Sequence, residues 1–163
     1  MIVARETISV ALFNLLKGNQ SLMTLCKTIT RTPIMWTDVA DASKPFLTLF
    51  KGGPKTEGFE QAQERRMGLT RYTISYNLWL YVAVNPSGVI LPETLVNNIA
   101  DGIDAAMQTN LSTGGVIATA RGERQTLGGI VNNAWIDGGS EWSREFSDNN
   151  LVMFHRILVE TGV

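Results

Sequence analysis

The sequence has few of the residues from which catalytic and metal sites are built. Its 163 residues include one cysteine, Cys26, and one histidine, His155. A single cysteine excludes an internal disulfide and any metal site made of several thiolates. The lysine loop that binds nucleotide phosphates, the glycine pattern of dinucleotide-binding proteins and the HExxH and GxSxG motifs are all missing. We therefore expect no catalytic residue, no cofactor and no metal, and a protein that is not an enzyme.

Charged residues and long apolar runs are also scarce. Charged residues make up 18% of the chain, with a net charge of −1, whereas soluble domains usually contain about 25%. Tight binding of nucleic acid depends on an excess of lysine and arginine, which this chain does not have. The longest apolar run, Leu78 to Val84, is far shorter than the roughly 20 residues of a membrane-spanning helix. The composition favours a subunit of an assembly, with no membrane partner.

Two segments have the periodicity of amphipathic helices. Apolar residues from Ala4 to Leu15 recur every three or four positions, and Gly18 ends the pattern. A second stripe, from Leu95 to Met107, follows Pro92, a residue that is well tolerated in the first turn of a helix. We predict one helix near the start of the chain and another in its middle.

The strongest strand signal is the alternating segment from Tyr72 to Val84. Its even-numbered residues predict a core face, whereas its odd-numbered residues begin polar and become aromatic, so the far end of that face should be covered too. Further strands are predicted at Phe46–Phe50, Ile130–Ile136, 142–146 and Leu151–Val159. The order helix, strands, helix, strands predicts an α+β fold over residues 1–163, a single domain with an antiparallel (mixed) β-sheet and helices packed on one face.

The segment from Lys51 to Gly68 has little to bury. It contains four glycines, a proline and seven charged residues, and it exceeds the roughly 12–15 residues above which loops without structure of their own are uncommon. We predict a long hairpin arm at about residues 51–68 that is ordered only by a partner, with an ordinary surface loop as the alternative. The candidate interface residues are charged residues of this arm, Arg71 just after it, and two tryptophans beside Gly138-Gly139. They are Lys51, Lys55, Glu57, Glu60, Glu64, Arg65, Arg66, Arg71, Trp135 and Trp142.

Other chemistry-bearing residues have simple structural interpretations. His155 lies within the last predicted strand, so we expect it on the sheet surface or at an interface, and a small hydrolase that uses it is a minor alternative. Cys26 is expected to be a buried small apolar residue. Asp101 and Asp104 share one face of the middle helix, where a solvated surface is favoured over a cation site because further oxygen ligands are lacking.

The order of these pieces resembles the minor tail, or tail-terminator, proteins of long-tailed bacteriophages. The likeness covers nearly the whole chain as a succession of short fragments. These fragments are Arg5-Glu6 with Ala11-Leu12, Thr30-Arg31, Trp36-Thr37-Asp38-Val39, Pro45-Phe46-Leu47, Leu80-Tyr81-Val82, Asn97-Asn98-Ile99, Trp135-Ile136-Asp137-Gly138 and the closing strand.

The resemblance implies a structural virion protein of the tail–head junction. Such a subunit forms a hexameric ring on the end of the tail tube, stops tube polymerisation and offers a docking surface to the head connector. Its partners would be further copies of itself, the tail tube protein, the head connector or stopper protein, and DNA that passes through the lumen in passive contact. Its location would be the virion, after assembly in the host cytoplasm. Another neck component, a head-completion or stopper protein, is the alternative.

Overall fold

The computed structural model of the protein describes residues 3–52, 60–66, 69–84, 91–108, 125–137, 141–145 and 150–162. These residues form three α-helices and seven strands, with two short 3₁₀ turns at Trp36–Asp38 and Asp41–Ser43. The helices are α1 (Arg5–Gly18), α2 (Gln20–Leu25) and α3 (Pro92–Met107). The strands are β1 (Thr28–Thr30), β2 (Phe46–Lys51), β3 (Glu60–Arg66), β4 (Leu69–Ala83), β5 (Asn133–Ile136), β6 (Glu141–Glu145) and β7 (Asn150–Gly162).

Both predicted helices are confirmed, and their ends follow from local chemistry. Helix α1 stops at Gly18, and the side chain of Asn19 then accepts a hydrogen bond from the backbone N–H of Leu22, which begins α2. Helix α3 starts with Pro92 in its first turn. The apolar stripes of these helices are buried and belong to one hydrophobic cluster with the sheet. No helix among the residues that the structure describes is long and apolar enough to cross a membrane.

The sheet is built around β4 and β7, which pair antiparallel from Arg71 opposite Gly162 to Ala83 opposite Asn150. Strands β2 and β3 lie end to end along the other edge of β4, and β5 and β6 lie end to end along the other edge of β7. Strand β1 joins β2 in parallel. The sheet is therefore mixed, and the α+β fold is confirmed.

The two faces of the sheet have different cover. The even-numbered residues of β4 from Ile74 to Val82 are at most 2% exposed and pack with the helices, as the alternation predicted. On the opposite face, called the second face below, Val39, Phe46, Tyr81 and Val152 form a smaller cluster. The prediction that the aromatic end of this face is covered is also confirmed.

Residues 31–44, called the strap below, provide that cover. The hydroxyl of Thr48 donates a hydrogen bond of 2.7 Å to the carbonyl oxygen of Thr32, and the hydroxyl of Tyr81 donates one of 2.9 Å to that of Ile34. These two side chains of the sheet thus provide hydrogen-bond donors for two backbone carbonyl groups of the strap.

The long hairpin arm is not confirmed. Residues 53–59 and 67–68, with Lys55 and Glu57, lie outside the described residues, and Glu60–Arg66 forms strand β3 along β4. The backbone N–H of Gly52, which has a φ of 83°, bonds to the carbonyl oxygen of Ser75, so pairing with β4 continues just past Lys51. The composition of this segment suggested no structure of its own, but the backbone groups along the edge of β4 provide hydrogen-bond partners that do not depend on apolar side chains.

Candidate functional site

Aromatic side chains occupy the middle of the second face. Trp79 pairs with Phe154 across β4 and β7, and their rings meet edge to face with centroids 5.8 Å apart. Trp79 also contacts Tyr81 at 6.1 Å, and Tyr81 stacks on Phe46 at 6.2 Å. Tyr81 and Phe46 are buried beside the strap, whereas Trp79 and Phe154 are partly exposed. A partly exposed aromatic cluster is typical of surfaces that pack against another protein.

Two hydrogen-bond donors on this face have no acceptor in the part of the chain that the structure describes. They are Nδ2 of Asn77 and Nε1 of Trp79, both fully shielded from solvent. Asn77 is 1% exposed and lies between Phe50 of β2 and Arg156 of β7. A buried donor without an acceptor costs about 1–3 kcal/mol of folding stability. Folding alone does not explain why these two polar groups are placed here.

Charged groups lie at two places on the second face. Near its middle, Arg156, which is opposite Asn77, forms a half-exposed ion pair with Asp137 at a nitrogen–oxygen distance of 3.7 Å. At the end where β7 begins, the buried Nζ of Lys44 donates to Oδ1 of Asp41 and to Oδ1 of Asn150, each at 2.7 Å. Burial raises the pKa of the Tyr81 hydroxyl to about 12, so this group stays protonated and keeps donating to the strap.

The charged residues predicted for the interface are gathered at the β3 side of β4, apart from those outside the described residues. Lys51 is exposed at the end of β2, opposite Tyr76. Arg71 of β4 pairs with Gln63 of β3. The remaining predicted residues lie on β3 itself, and they are Glu60, Glu64, Arg65 and Arg66. Pairing of β3 with β4 therefore brings most of the predicted charged positions to one side of the sheet.

The two predicted tryptophans lie on different strands along the same edge of β7. Trp135 of β5 is partly buried and pairs with Leu158, and Trp142 of β6 pairs with Met153. The two positions are thus separated along β7. Sequence patterns did not single out Asn77, Trp79 or Phe154, because their juxtaposition depends on the register between β4 and β7.

His155 does not lie on the sheet surface. It is 2% exposed and sits opposite Leu78 on the helix-packed face. Burial lowers the pKa of the imidazole, and the charge of Asp104 on α3 opposes that shift in part. The expected surface position is wrong because odd-numbered residues of β7 face the helices.

Cys26 is buried as predicted, and desolvation raises the pKa of its thiol to about 12. The thiol is therefore protonated at neutral pH, and the thiolate needed for nucleophilic chemistry is not formed. Asp101 and Asp104 are both exposed on α3. Within the described residues, no group of three or more histidine, cysteine, aspartate or glutamate side chains could hold a metal ion.

In comparisons with known proteins, no protein-family model and no curated protein matches the chain.

Proposed function

We propose that this chain is a structural subunit of the tail–head junction of a long-tailed bacteriophage. Copies of it would close into a hexameric ring that caps the tail tube, ends tube polymerisation and receives the head connector. The resemblance in the order of short fragments supports this function, and the α+β architecture is of the class that the resemblance implies. The proposal includes no catalytic step and no cofactor.

The observation that carries the proposal is the second face of the sheet. It combines the partly exposed rings of Trp79 and Phe154 with two donors, on Asn77 and Trp79, that have no acceptor among the described residues. A polar group that is retained in a buried place at a cost to stability is a common sign of a functional constraint. A neighbouring subunit that repacks Trp79 would bring carbonyl or carboxylate oxygens to these donors.

A closed ring needs two different, complementary patches on each subunit. The second face is one of them. The other is the β3–β4 side of the sheet, where Arg65, Arg66 and Arg71 are the proposed anchors, because a guanidinium group can hold a carboxylate through two hydrogen bonds. The two patches lie on different parts of one sheet, which is the arrangement that head-to-tail contacts require.

A tube-capping assay tests this function. Purified protein is added to polymerising tail-tube protein, and tube lengths and tube ends are measured by electron microscopy. We expect short tubes with a ring of added density at one end, and the double variant Arg65→Glu/Arg66→Glu should fold normally but leave tubes long. The control variant is Lys17→Glu, a charge reversal on the exposed side of α1, which should cap like the wild type.

The oligomeric state alone is a weaker test, because a terminator subunit can stay monomeric until it meets the tube. Two outcomes would contradict the proposal: tubes that stay long with wild-type protein, or capping by the double arginine variant that equals the wild type. Removal of the protein during phage growth separates the related functions. Abnormally long tails indicate a terminator, whereas tails of normal length with heads that leak DNA indicate a stopper protein.

A further inference from the structure

His155 occupies an unusual position in the sheet. Residues 155 and 156 fall between the part of β7 that pairs with β6, which ends at Phe154, and the part that pairs with β5, which begins at Ile157. On its other side His155 lies opposite Leu78 of β4. The imidazole therefore sits on the helix-packed face, level with the stretch of β7 between its pairing with β6 and its pairing with β5.

Neither ring nitrogen of His155 has a hydrogen-bond partner in the described part of the chain, and the residue is 2% exposed. Burial of a neutral imidazole without hydrogen bonds has a moderate cost in folding stability. Burial of an imidazolium ion is strongly disfavoured, because its charge would have no hydrogen-bonded partner. The closed form, in which α3 packs against the sheet, thus favours the neutral form of the His155 side chain.

The described charged and titratable groups around His155 do not compensate for a positive charge. Helix α3 contributes Asp104, which is exposed and acts on the ring only through its charge. On β4, the nearest titratable group of the same face is Tyr76, whose hydroxyl shares a hydrogen bond with Ser9 of α1. Arg156, next in β7, lies on the second face with Asp137.

We propose that His155 is an acid-sensitive switch between α3 and the sheet. At neutral pH the uncharged ring lets α3 pack against β4 and β7. When the ring binds a proton, the cation is stabilised only where water reaches it, so α3 separates locally from the sheet and Asp104 can pair with the imidazolium. The device is independent of the function proposed above. Since His155 is the only histidine, no other imidazole can produce the response.

The size of the effect follows from proton linkage. Between the pKa of the open form, near that of a free histidine, and the lower pKa of the closed form, each unit of falling pH raises the open population up to tenfold. From pH 7.5 to pH 5.0 the opening of α3 should therefore increase, by at most about thirtyfold, because the gain begins only below the ordinary histidine pKa of about 6.5. The strands β4 and β7, which hold the centre of the sheet, should stay protected.

Amide hydrogen exchange followed by mass spectrometry tests the switch. Exchange of peptides from α3 and from β4 is measured at both pH values and corrected for the intrinsic pH dependence of exchange. We expect an acid-induced loss of protection in α3 only, and no such loss in His155→Leu or His155→Gln. Using two replacements guards against one of them packing poorly. An acid response that survives in a folded variant, or equal loss of protection in α3 and β4 of the wild type, overturns the proposal.

The titration of the single imidazole gives a second readout. Its ring carbon-bound proton is followed by NMR, together with amide signals of α3, in the wild type and in Asp104→Asn. We expect the ring and α3 to titrate together, and a lower midpoint in Asp104→Asn because a charge that favours the imidazolium is gone. Separate midpoints for the ring and the helix, or a midpoint that is unchanged or higher in Asp104→Asn, contradict the proposal.

Discussion

Lys44 and Asn150 are 106 residues apart in sequence, yet the Nζ of Lys44 donates a buried hydrogen bond of 2.7 Å to Oδ1 of Asn150. The bond ties the end of the strap to the first residue of β7. The second acceptor of Lys44, Asp41, is 83% exposed. The contact with Asn150 is therefore the one made away from water, where a hydrogen bond from a charged donor is strongest.

Removing this contact should loosen the strap. We expect a double-mutant cycle of Lys44→Met and Asn150→Ala to give a coupling of about 1.5–3 kcal/mol in the free energy of urea unfolding. Asp41→Asn should lower the free energy of unfolding by less than about 1 kcal/mol, because the Asp41 side chain that pairs with Lys44 is exposed to water. The matched control is Lys27→Met, which removes an exposed lysine with only a 3.4 Å bond to Ala42. A coupling below about 0.5 kcal/mol would show that the buried bond does not hold the strap.

Protonation of His155 should also lower the stability of the whole fold. Burial lowers the folded-state pKa of this residue below its ordinary value of 6.5, so the unfolded chain binds the proton more readily. Its contribution to the free energy of unfolding is complete above pH 6.5 and is lost as the pH falls towards the folded-state pKa, by at most about 1.4 kcal/mol per pH unit. Urea unfolding between pH 7.5 and 5.0 should show this slope in the wild type and a flatter one in His155→Leu. Equal slopes would mean that other groups cause the acid sensitivity.

Local sequence patterns predicted the helices and strands of this fold better than they predicted which elements lie next to each other. Helix α1 and strand β4 were predicted because their periodicity is contained in one segment. In β7 the charged residues Arg156 and Glu160 belong to the even-numbered set, whereas the odd-numbered set that contains His155 is the more apolar one. The surface position was expected from the polar nature of histidine, although the alternation favoured the core face. The pairing of β7 with β4 places His155 opposite Leu78, on the helix-packed face.

Prediction of the candidate site would have required knowledge of the strand pairing even more than prediction of the fold did. Composition identified the charged residues around β3 as candidate interface positions, but the pairing of β3 with the edge of β4 is made by backbone groups and leaves little trace in the side chains. The sequence did not indicate that the side-chain amide of Asn77 is buried, for a related reason. A polar residue in an alternating strand predicts a solvated face, and only the tertiary structure shows that this position is buried.

Close contact between α2 and α3 should depend on Gly102. A Cβ atom at this position would lie 2.9 Å from Cδ2 of Leu22, a side chain with no exposed surface. We expect Gly102→Ala to destabilise the protein by about 1–2 kcal/mol, because overpacking outweighs the gain of roughly 1 kcal/mol in helix propensity. The measurement is urea unfolding followed by circular dichroism.

Gly18→Ala is the matched control, since nothing lies within 4 Å of a Cβ atom there. It should be neutral or slightly stabilising. The double variant Gly102→Ala/Leu22→Ala should be less destabilised than the sum of the single variants, because the new methyl group fills part of the cavity. Strict additivity would show that the two residues do not compete for space.

The donors of the second face lead to opposite expectations for two substitutions. Asn77→Val removes an amide whose Nδ2 has no acceptor in the described part of the chain, so the isolated subunit should gain about 1–2 kcal/mol in its free energy of unfolding. Tyr81→Phe, on the same face, removes a hydroxyl that does have an acceptor, the carbonyl oxygen of Ile34 at 2.9 Å, and should lose about 1 kcal/mol. If Asn77 serves the interface proposed here, Asn77→Val should also cap tail tubes poorly despite its greater stability, whereas Tyr81→Phe should cap them normally. An Asn77→Val subunit that is destabilised, or that is stabilised and caps as well as the wild type, would show that this amide is not reserved for a partner.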